Sequence, residues 1–440
     1  MSDTISDDSD RYIDWKCCIF DNRYIMIKRI GNGSYASVWI CYDVHTMKYY
    51  AMKINNRYDH KVAVKETNIY NVIKSYNSPY IMTIIKSFDH NDDGKYRCFV
   101  MELMACSLYD IIKRNTSGIK FQYMIKCVEQ ILKGLCEIHK HNVIHGDIKP
   151  ENILLSGINM KQKELFKKLE LGKLIKSKIR GKNGFNDEGV QNKIIKELEK
   201  KMSKDKENIS DDTDDSINTD SEIGVIEKFS ISSCDSIDSY TDYSDATDNN
   251  SIISDNGCDI NELFKDLQIK ITDMGNSILP GHKKKCSIQT CYYRAPEILL
   301  GINYDTSIDI WALGCTMYEL LTGNILFNAD NYEGNTIRHH LFLIIKKIGL
   351  IPEKIIKISN QKDIFFTTDM QRIKGYKSID LSEPLWKDLQ TIAHNNNLNP
   401  DTQINFIKLI MGMLSLDPKT RLTAKDALQN PLFTKNIIVE

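Results

Sequence analysis

Apolar and polar positions along the first hundred residues alternate in short runs. Tyr24 to Ile30 and Ala36 to Tyr42 flank a glycine turn, and Tyr49 to Ile54 follows closely. A period near two in runs of this length predicts half-buried strands. A helical stretch is predicted around Val62 to Ser75, then two further strands, Tyr80 to Phe88 and Tyr96 to Leu103. From residue 106 to 155 the pattern turns helical, with Met124, Val128, Ile131, Leu132, Leu135 and Ile138 at helical spacing. That spacing returns at Ser307 to Leu321 and dominates the C-terminal third. The chain therefore reads as an α+β protein: a small β-rich lobe, a larger helical lobe and a cleft between them.

Residues 156–260 interrupt this pattern. Lys161 to Lys206 holds 15 basic and 7 acidic residues, with enough Leu and Ile for one or two marginal helices. The basic stretch is expected to be a solvated surface. Asp211 to Ile260 holds 14 acidic residues and one lysine among Ser, Thr and Asn, and is expected to be disordered because like charges repel and little can be buried. Thr219, Ser232 and Ser239 each precede an acidic residue by three positions, a weak acceptor pattern for acidophilic kinases. Residues 1–19 form an acidic extension and 435–440 a tail; the folded parts are expected at 20–104, 105–155 and 261–434.

Bulk chemistry narrows the classes. The 440 residues carry 58 basic and 59 acidic groups, so a generally basic nucleic-acid binder is disfavoured. Twelve scattered cysteines without a CxxC pair suit a reducing compartment. The polar start is unlike a secretory signal, and runs such as Leu341 to Ile345 are too short to span a bilayer. A soluble intracellular protein, without membrane or direct nucleic-acid contact, is expected.

Five short segments carry candidate chemistry. Gly31-x-Gly33-x-x-Ala36-x-Val38 sits between two strands, where backbone can close over phosphates and Val38 can pack on a base; Ile30 belongs to the same wall. A dinucleotide fold fits poorly, because a strand follows these glycines rather than a helix. Ala51-Met52-Lys53-Ile54 offers a strand lysine for the α and β phosphates, with Glu66 on the next helix as its partner. Cys98 to Met104 ends the small lobe; the backbone of Glu102 and Met104 suits an adenine edge, with Met101 behind it. His145-Gly146-Asp147-Ile148-Lys149-Pro150-Glu151-Asn152 supplies a carboxylate for a hydroxyl proton, a lysine for the transferred phosphate and an amide for metal. Asp273-Met274-Gly275 supplies a second metal carboxylate, adjacent to the first only if 156–260 is an excursion. Alone, each segment is as easily a hairpin, an edge lysine or a surface turn; their order raises the specificity. Glu297 and Arg421 are expected to form a buried ion pair, and Asp309 to accept hydrogen bonds from the catalytic-loop backbone.

Together these segments resemble a eukaryotic-type protein kinase across residues 20–155 and 262–434. Tyr293-Arg294-Ala295-Pro296-Glu297 resembles the group containing cyclin-dependent, MAP and SR-protein kinases. Gly33 to Trp39, Asp147 to Asn152, Asp273 to Asn276 and the long spacer are most similar to SR-protein kinases. The resemblance implies the two-lobed kinase fold, ATP with Mg²⁺ or Mn²⁺, and serine or threonine acceptors lined by Lys149, Thr290 and Arg294. It also implies Arg-Ser-rich protein substrates and an unidentified partner for the spacer.

Two departures bear on this. Gly146 replaces the arginine that normally engages an activation-loop phosphate, which favours an activation segment ordered without phosphorylation. Ile337-Arg338-His339 stands where SR-protein kinases use acidic residues for docking, leaving only Asp330 and Glu333 nearby. Proline-directed or acidic substrates are therefore an alternative, and a pseudokinase scaffold recruiting partners through the large lobe or acidic spacer is the competing class. High Asn, Ile, Lys and Asp content suggests an AT-rich genome, of a protist or a large DNA virus; basic patches at Lys167 and Lys283 to Lys285 read as solvated faces or import signals.

Overall fold

The computed structural model describes residues 13–33, 36–90, 96–179, 184–203, 264, 267–282, 288–329, 335–370, 372–376, 378 and 380–434. The expectations for the acidic stretch 211–260, for Ser34 and Tyr35, for Lys283 to Lys285 and for Asp330 and Glu333 lie outside these residues.

The small lobe is an antiparallel sheet. Strands β1 (Ile19–Phe20), β2 (Tyr24–Asn32), β3 (Ala36–Asp43), β4 (Lys48–Asn55), β5 (Ile84–His90) and β6 (Tyr96–Met101) lie in the order β1-β2-β3-β4-β6-β5. Alternation divides their side chains between two faces. Tyr24, Met26, Trp39, Cys41, Met52 and Ile54 fill the outer face, beneath Trp15 and Phe20. Ile25, Ile27, Ile40, Tyr42 and Ala51 point the other way. Helix α1 (His60–Lys74) buries Ala63, Glu66, Ile69, Tyr70 and Ile73.

Strand β5 begins four residues later than its hydrophobic run predicts. The backbone of Tyr80 and Met82 bonds instead to Ile271, which ties the two lobes together.

The large lobe is helical: α2 (Leu108–Arg114), α3 (Phe121–Lys140), and later α7 (Ser307–Thr322), α8 (Thr336–Ile348), α9 (Leu385–Asn395) and α10 (Pro400–Met413). Helix α3 buries all six positions picked out by their spacing. The helical pattern stops at Lys140, however, and residues 141–149 form an irregular loop that ends in a short 3-10 turn, Pro150–Asn152, before β8 (Ile153–Leu155). Strand β8 pairs with β7 (Cys106–Ser107) and β9 (Ile269–Ile271), so the chain leaves at Leu155 and returns beside it. No helix among the described residues is long and apolar enough to cross a membrane.

The basic stretch departs from its expectation. It forms α4 (Met160–Leu169), α5 (Leu171–Lys178) and α6 (Glu188–Ser203). Leu169, Leu171, Leu174, Ile175, Phe185, Ile194 and Leu198 pack under the inner face of the sheet, against Ile25, Ile27, Ile40, Tyr42, Ala51 and Leu103. The ring of Phe166 stacks on Tyr49 at 3.6 Å. The apolar positions fall on one side of each helix and the lysines on the other. Composition averages the two sides and hides this.

Candidate active site

Strand β4 carries Lys53 into the cleft between the lobes. Its ammonium lies 2.9 Å from Glu66 Oε1, 3.1 Å from Glu66 Oε2 and 3.2 Å from Asp273 Oδ1. Burial opposes the charge on Lys53, but Asp273 and Glu66 outweigh it and raise its pKa. The same ammonium holds the Asp273 carboxyl down at about 2, while burial pushes Glu66 up. The surroundings of the three differ: Glu66 is buried, whereas the Asp273 side chain remains 44% exposed. Asp273 adopts φ 61°, ψ 81°, and its Oδ1 accepts from Gly275 N–H at 3.3 Å, so the turn aims the carboxylate at Lys53.

The irregular loop after α3 presents the second group. Asp147 Oδ1 accepts from the Thr290 hydroxyl at 2.7 Å and from Thr290 N–H at 3.2 Å. Lys149 Nζ lies 3.2 Å from Asp147 Oδ2 and donates to Thr290 Oγ1 at 2.7 Å. Asn152 donates through Nδ2 to the Asp147 carbonyl at 2.8 Å, which fixes its amide plane.

Buried contacts hold this loop from below. Asp309, at the start of α7, accepts from His145 N–H and Gly146 N–H, both at 2.8 Å, and meets His139 Nε2 at 2.9 Å. His145 Nε2 lies 3.0 Å from the Thr272 carbonyl, joining the loop to the Asp273 turn. Gly146 has φ 79°, and a Cβ there would lie 2.6 Å from Ile288 Cδ1. A side chain at 146 would therefore have to hold a left-handed backbone and push the Ile288 side chain aside.

That segment is tied by its own residues. Gln289 donates to the Ile308 carbonyl and accepts from Ala295 N–H, each at 2.9 Å. Arg294 donates to the carbonyls of Ile288 at 3.2 Å and Gln289 at 2.9 Å. Glu297 meets Arg421 through two bonds of 2.6 and 2.9 Å, both side chains fully buried. Tyr293 donates to Glu319 Oε2 at 2.6 Å, and burial lifts Glu319 to about 7. Gln289 and Glu319 carried no sequence signal, and His145, though it opens the quoted run, was given no role there, since each acts through partners far along the chain or through backbone.

The residues expected to face a nucleotide lie on β2, β3, β4 and β6 and on the segment that follows β6. Ala36, Ala51, Met101 and Met104 are buried; Val38 is half-buried, and Ile30 is exposed. Gly31 pairs with Val38, and Gly33 N–H donates to the Ala36 carbonyl at 2.8 Å. The Glu102 side chain turns away to Lys270 on β9. Among the described residues no group of three or more His, Cys, Asp or Glu is placed to hold a metal. One carboxylate and one amide remain, a hard-oxygen pair that suits Mg²⁺ when phosphate oxygens and water complete its shell.

Comparison with known proteins agrees with this geometry. A family described as the protein kinase domain matches residues 24–172 and 243–433. The chain is 30% identical to the putative serine/threonine-protein kinase L205 of Acanthamoeba polyphaga mimivirus, over 94% of this chain and 87% of that one. It is 26% identical to the serine/threonine-protein kinase SRPK of Physarum polycephalum, over 94% and 86%. A putative dual specificity tyrosine-phosphorylation-regulated kinase 3 homolog of Drosophila melanogaster is 23% identical, over 94% of this chain and 38% of its own length.

Proposed function

This chain belongs to the protein kinase family, as a eukaryotic-type domain related to the CMGC group, and on that premise we propose that it transfers the γ-phosphoryl group of ATP to serine or threonine hydroxyls of proteins. The observation that carries this reading is Lys53, within 3.2 Å of both Glu66 and Asp273, residues brought from a strand, a helix and a turn far apart in sequence.

In this reading Lys53 binds the α and β phosphates and Glu66 holds it there. Ile30, Gly31, Gly33, Ala36, Val38, Ala51 and Met101 enclose the nucleotide. The Glu102 carbonyl and the Met104 N–H take the adenine edge. Asp147 receives the proton of the acceptor hydroxyl as that oxygen attacks the γ-phosphorus; the bond to the bridging oxygen breaks and ADP departs. The existing hydroxyl bond from Thr290 to Asp147 supports this, because the carboxylate is already aimed at a hydroxyl donor. Lys149 offsets charge on the moving phosphoryl, and Thr290 and Arg294 shape the acceptor side. Asn152 and Asp273 would hold Mg²⁺ or Mn²⁺, which neutralises phosphate charge when bound. Positioning and electrostatics supply the catalysis.

For substrate, likeness to SRPK favours Arg-Ser-rich proteins. Arg338 and His339 at the start of α8 favour the rival classes, acidic or proline-directed sites. Turnover of radiolabelled ATP on arrayed Arg-Ser, Ser-Pro and acidic-Ser peptides, with Asp147→Asn as control, separates them. Labelling of Arg-Ser peptides that the control abolishes is the expected result. Labelling of another class discards the Arg-Ser assignment. No Asp147-dependent labelling by folded protein returns the chain to the scaffold class.

A further inference from the structure

Helix α4 begins with a capping box in which each side chain also does something else. Asn159 accepts from Gln162 N–H and Gln162 accepts from Asn159 N–H, both at 2.9 Å. Those bonds use the side-chain oxygens. The two amide nitrogens remain, and both point at the segment joining the lobes: Gln162 Nε2 donates to the Met104 carbonyl at 3.0 Å, and Asn159 Nδ2 donates to the Ala105 carbonyl. A cap needs only an oxygen, and Asp or Ser would serve as well. The choice of amides is explained by the second set of bonds.

We infer that Asn159 and Gln162 are positioning residues for the nucleotide, splinting the backbone that receives the adenine edge. This rests on the kinase reading of the cleft. The segment is held on every side. Ala105 N–H donates to the Leu155 carbonyl at 2.9 Å, Glu102 is paired with Lys270, and Leu103 packs among the apolar residues of α4–α6. With both carbonyls fixed, the peptide planes on either side of Ala105 are set before nucleotide arrives, and the first of them directly follows the plane that carries the Met104 N–H. Freezing a residue's backbone costs conformational entropy. A splint moves that cost from the binding step into folding, which raises affinity without touching the ligand. Helix α4 is suited to this because its Phe166 also stacks on β4, the strand that carries Ala51 and Lys53.

Isosteric substitutions separate capping from splinting. Asn159→Asp and Gln162→Glu each keep the oxygen that caps α4 and remove the nitrogen that reaches the carbonyl. In the full chain, binding of N-methylanthraniloyl-ADP with Mg²⁺ is followed by fluorescence anisotropy, alongside steady-state kinetics with a peptide substrate. The double variant is expected to raise Kd for the labelled ADP and KM for ATP about tenfold, as two lost hydrogen bonds predict. Its kcat at saturating ATP and its KM for peptide should stay within about twofold of wild type. Gln162 is buried and a charge there can impair folding, so Asn159→Asp alone, at a half-buried position, is the second variant; about a threefold rise in Kd is expected. Nucleotide affinity within experimental error of wild type in folded Asn159→Asp, or an equal fall in kcat, would overturn the inference. A wild-type chain that binds no adenine nucleotide would instead overturn the kinase reading, and the inference with it.

Discussion

Among the cation–carboxylate contacts of this molecule, two buried ones are built to opposite ends. Arg421 and Glu297 are sealed: two mutual bonds, further bonds from Arg421 to the carbonyls of Ser415 and Ser307, and no exposure of either side chain. Lys53 is shared between two carboxylates, one of them open to the cleft. The sealed pair has no valence left for a ligand and can only fasten the segment after Arg294 to the C-terminal helices. In the proposed function, the cation of the open one exchanges its second partner, Asp273, for phosphate. The difference shows how one kind of interaction serves as a joint in one place and as a receptor in another.

The largest effect is expected from breaking the joint. Arg421→Met strands a buried carboxylate and should destabilise the fold by about 3–5 kcal/mol in denaturant titration. Breaking the receptor should cost less stability, because one of its two carboxylates is open to the cleft, and should strike activity. Lys53→Met is expected to lower phosphoryl transfer by about 10²–10³-fold, with a smaller loss of stability than Arg421→Met because only Glu66 is left buried without its cation. A double change, Arg421→Met with Glu297→Leu, sharpens the contrast: removing both charges should recover all but about 1–2 kcal/mol, because the desolvation penalty disappears with the attraction.

Acidity gives the smallest and most diagnostic effect, and it carries opposite signs at two carboxylates. Asp273 is depressed to about 2 in the fold against 3.8 unfolded, so its contribution is present above 3.8 and lost as pH falls through 2. Glu319 is raised to about 7 against 4.5, so the fold holds the proton more tightly and stability declines as pH rises between those values. Stability measured from pH 4.5 to 7 should therefore fall less steeply in Glu319→Gln. Asp273→Asn should change only the acid limb.

Lys53, Glu66, Asp147, Asn152 and Asp273 could be singled out because each sits in a short segment of recognisable spacing, and the fold brings Lys53 to Glu66 and Asp273 and Asn152 to Asp147. Thr290 and Arg294 were singled out on resemblance, and the fold places Thr290 against Asp147. Gly146 was read as a missing arginine, whereas the fold gives it a steric reason as well: Ile288 occupies the space beside it. What could not be read was tertiary. Tyr80 to Met82 has the composition of a strand but spends its backbone on Ile271. The lysine-rich helices hide their apolar sides in a charged average, and Gln162 finds Met104 fifty-eight residues earlier in the chain. Local pattern shows that such a residue can cap a helix; it cannot show what else lies within reach.

The pairing of β8 with β9 has one consequence for how this chain tolerates change. Leu155 faces Ile269, and Ser156 N–H donates to the Gln268 carbonyl at 2.8 Å, so the excursion that carries α4–α6 is closed at its base. The entropy of closing a long loop grows only with the logarithm of its length, and doubling it adds about 0.6 kcal/mol. Lengthening, shortening or cutting the chain between residues 204 and 263 should therefore hardly disturb the lobes. A molecule severed there would remain assembled as two complementary fragments, each supplying one strand of the seam.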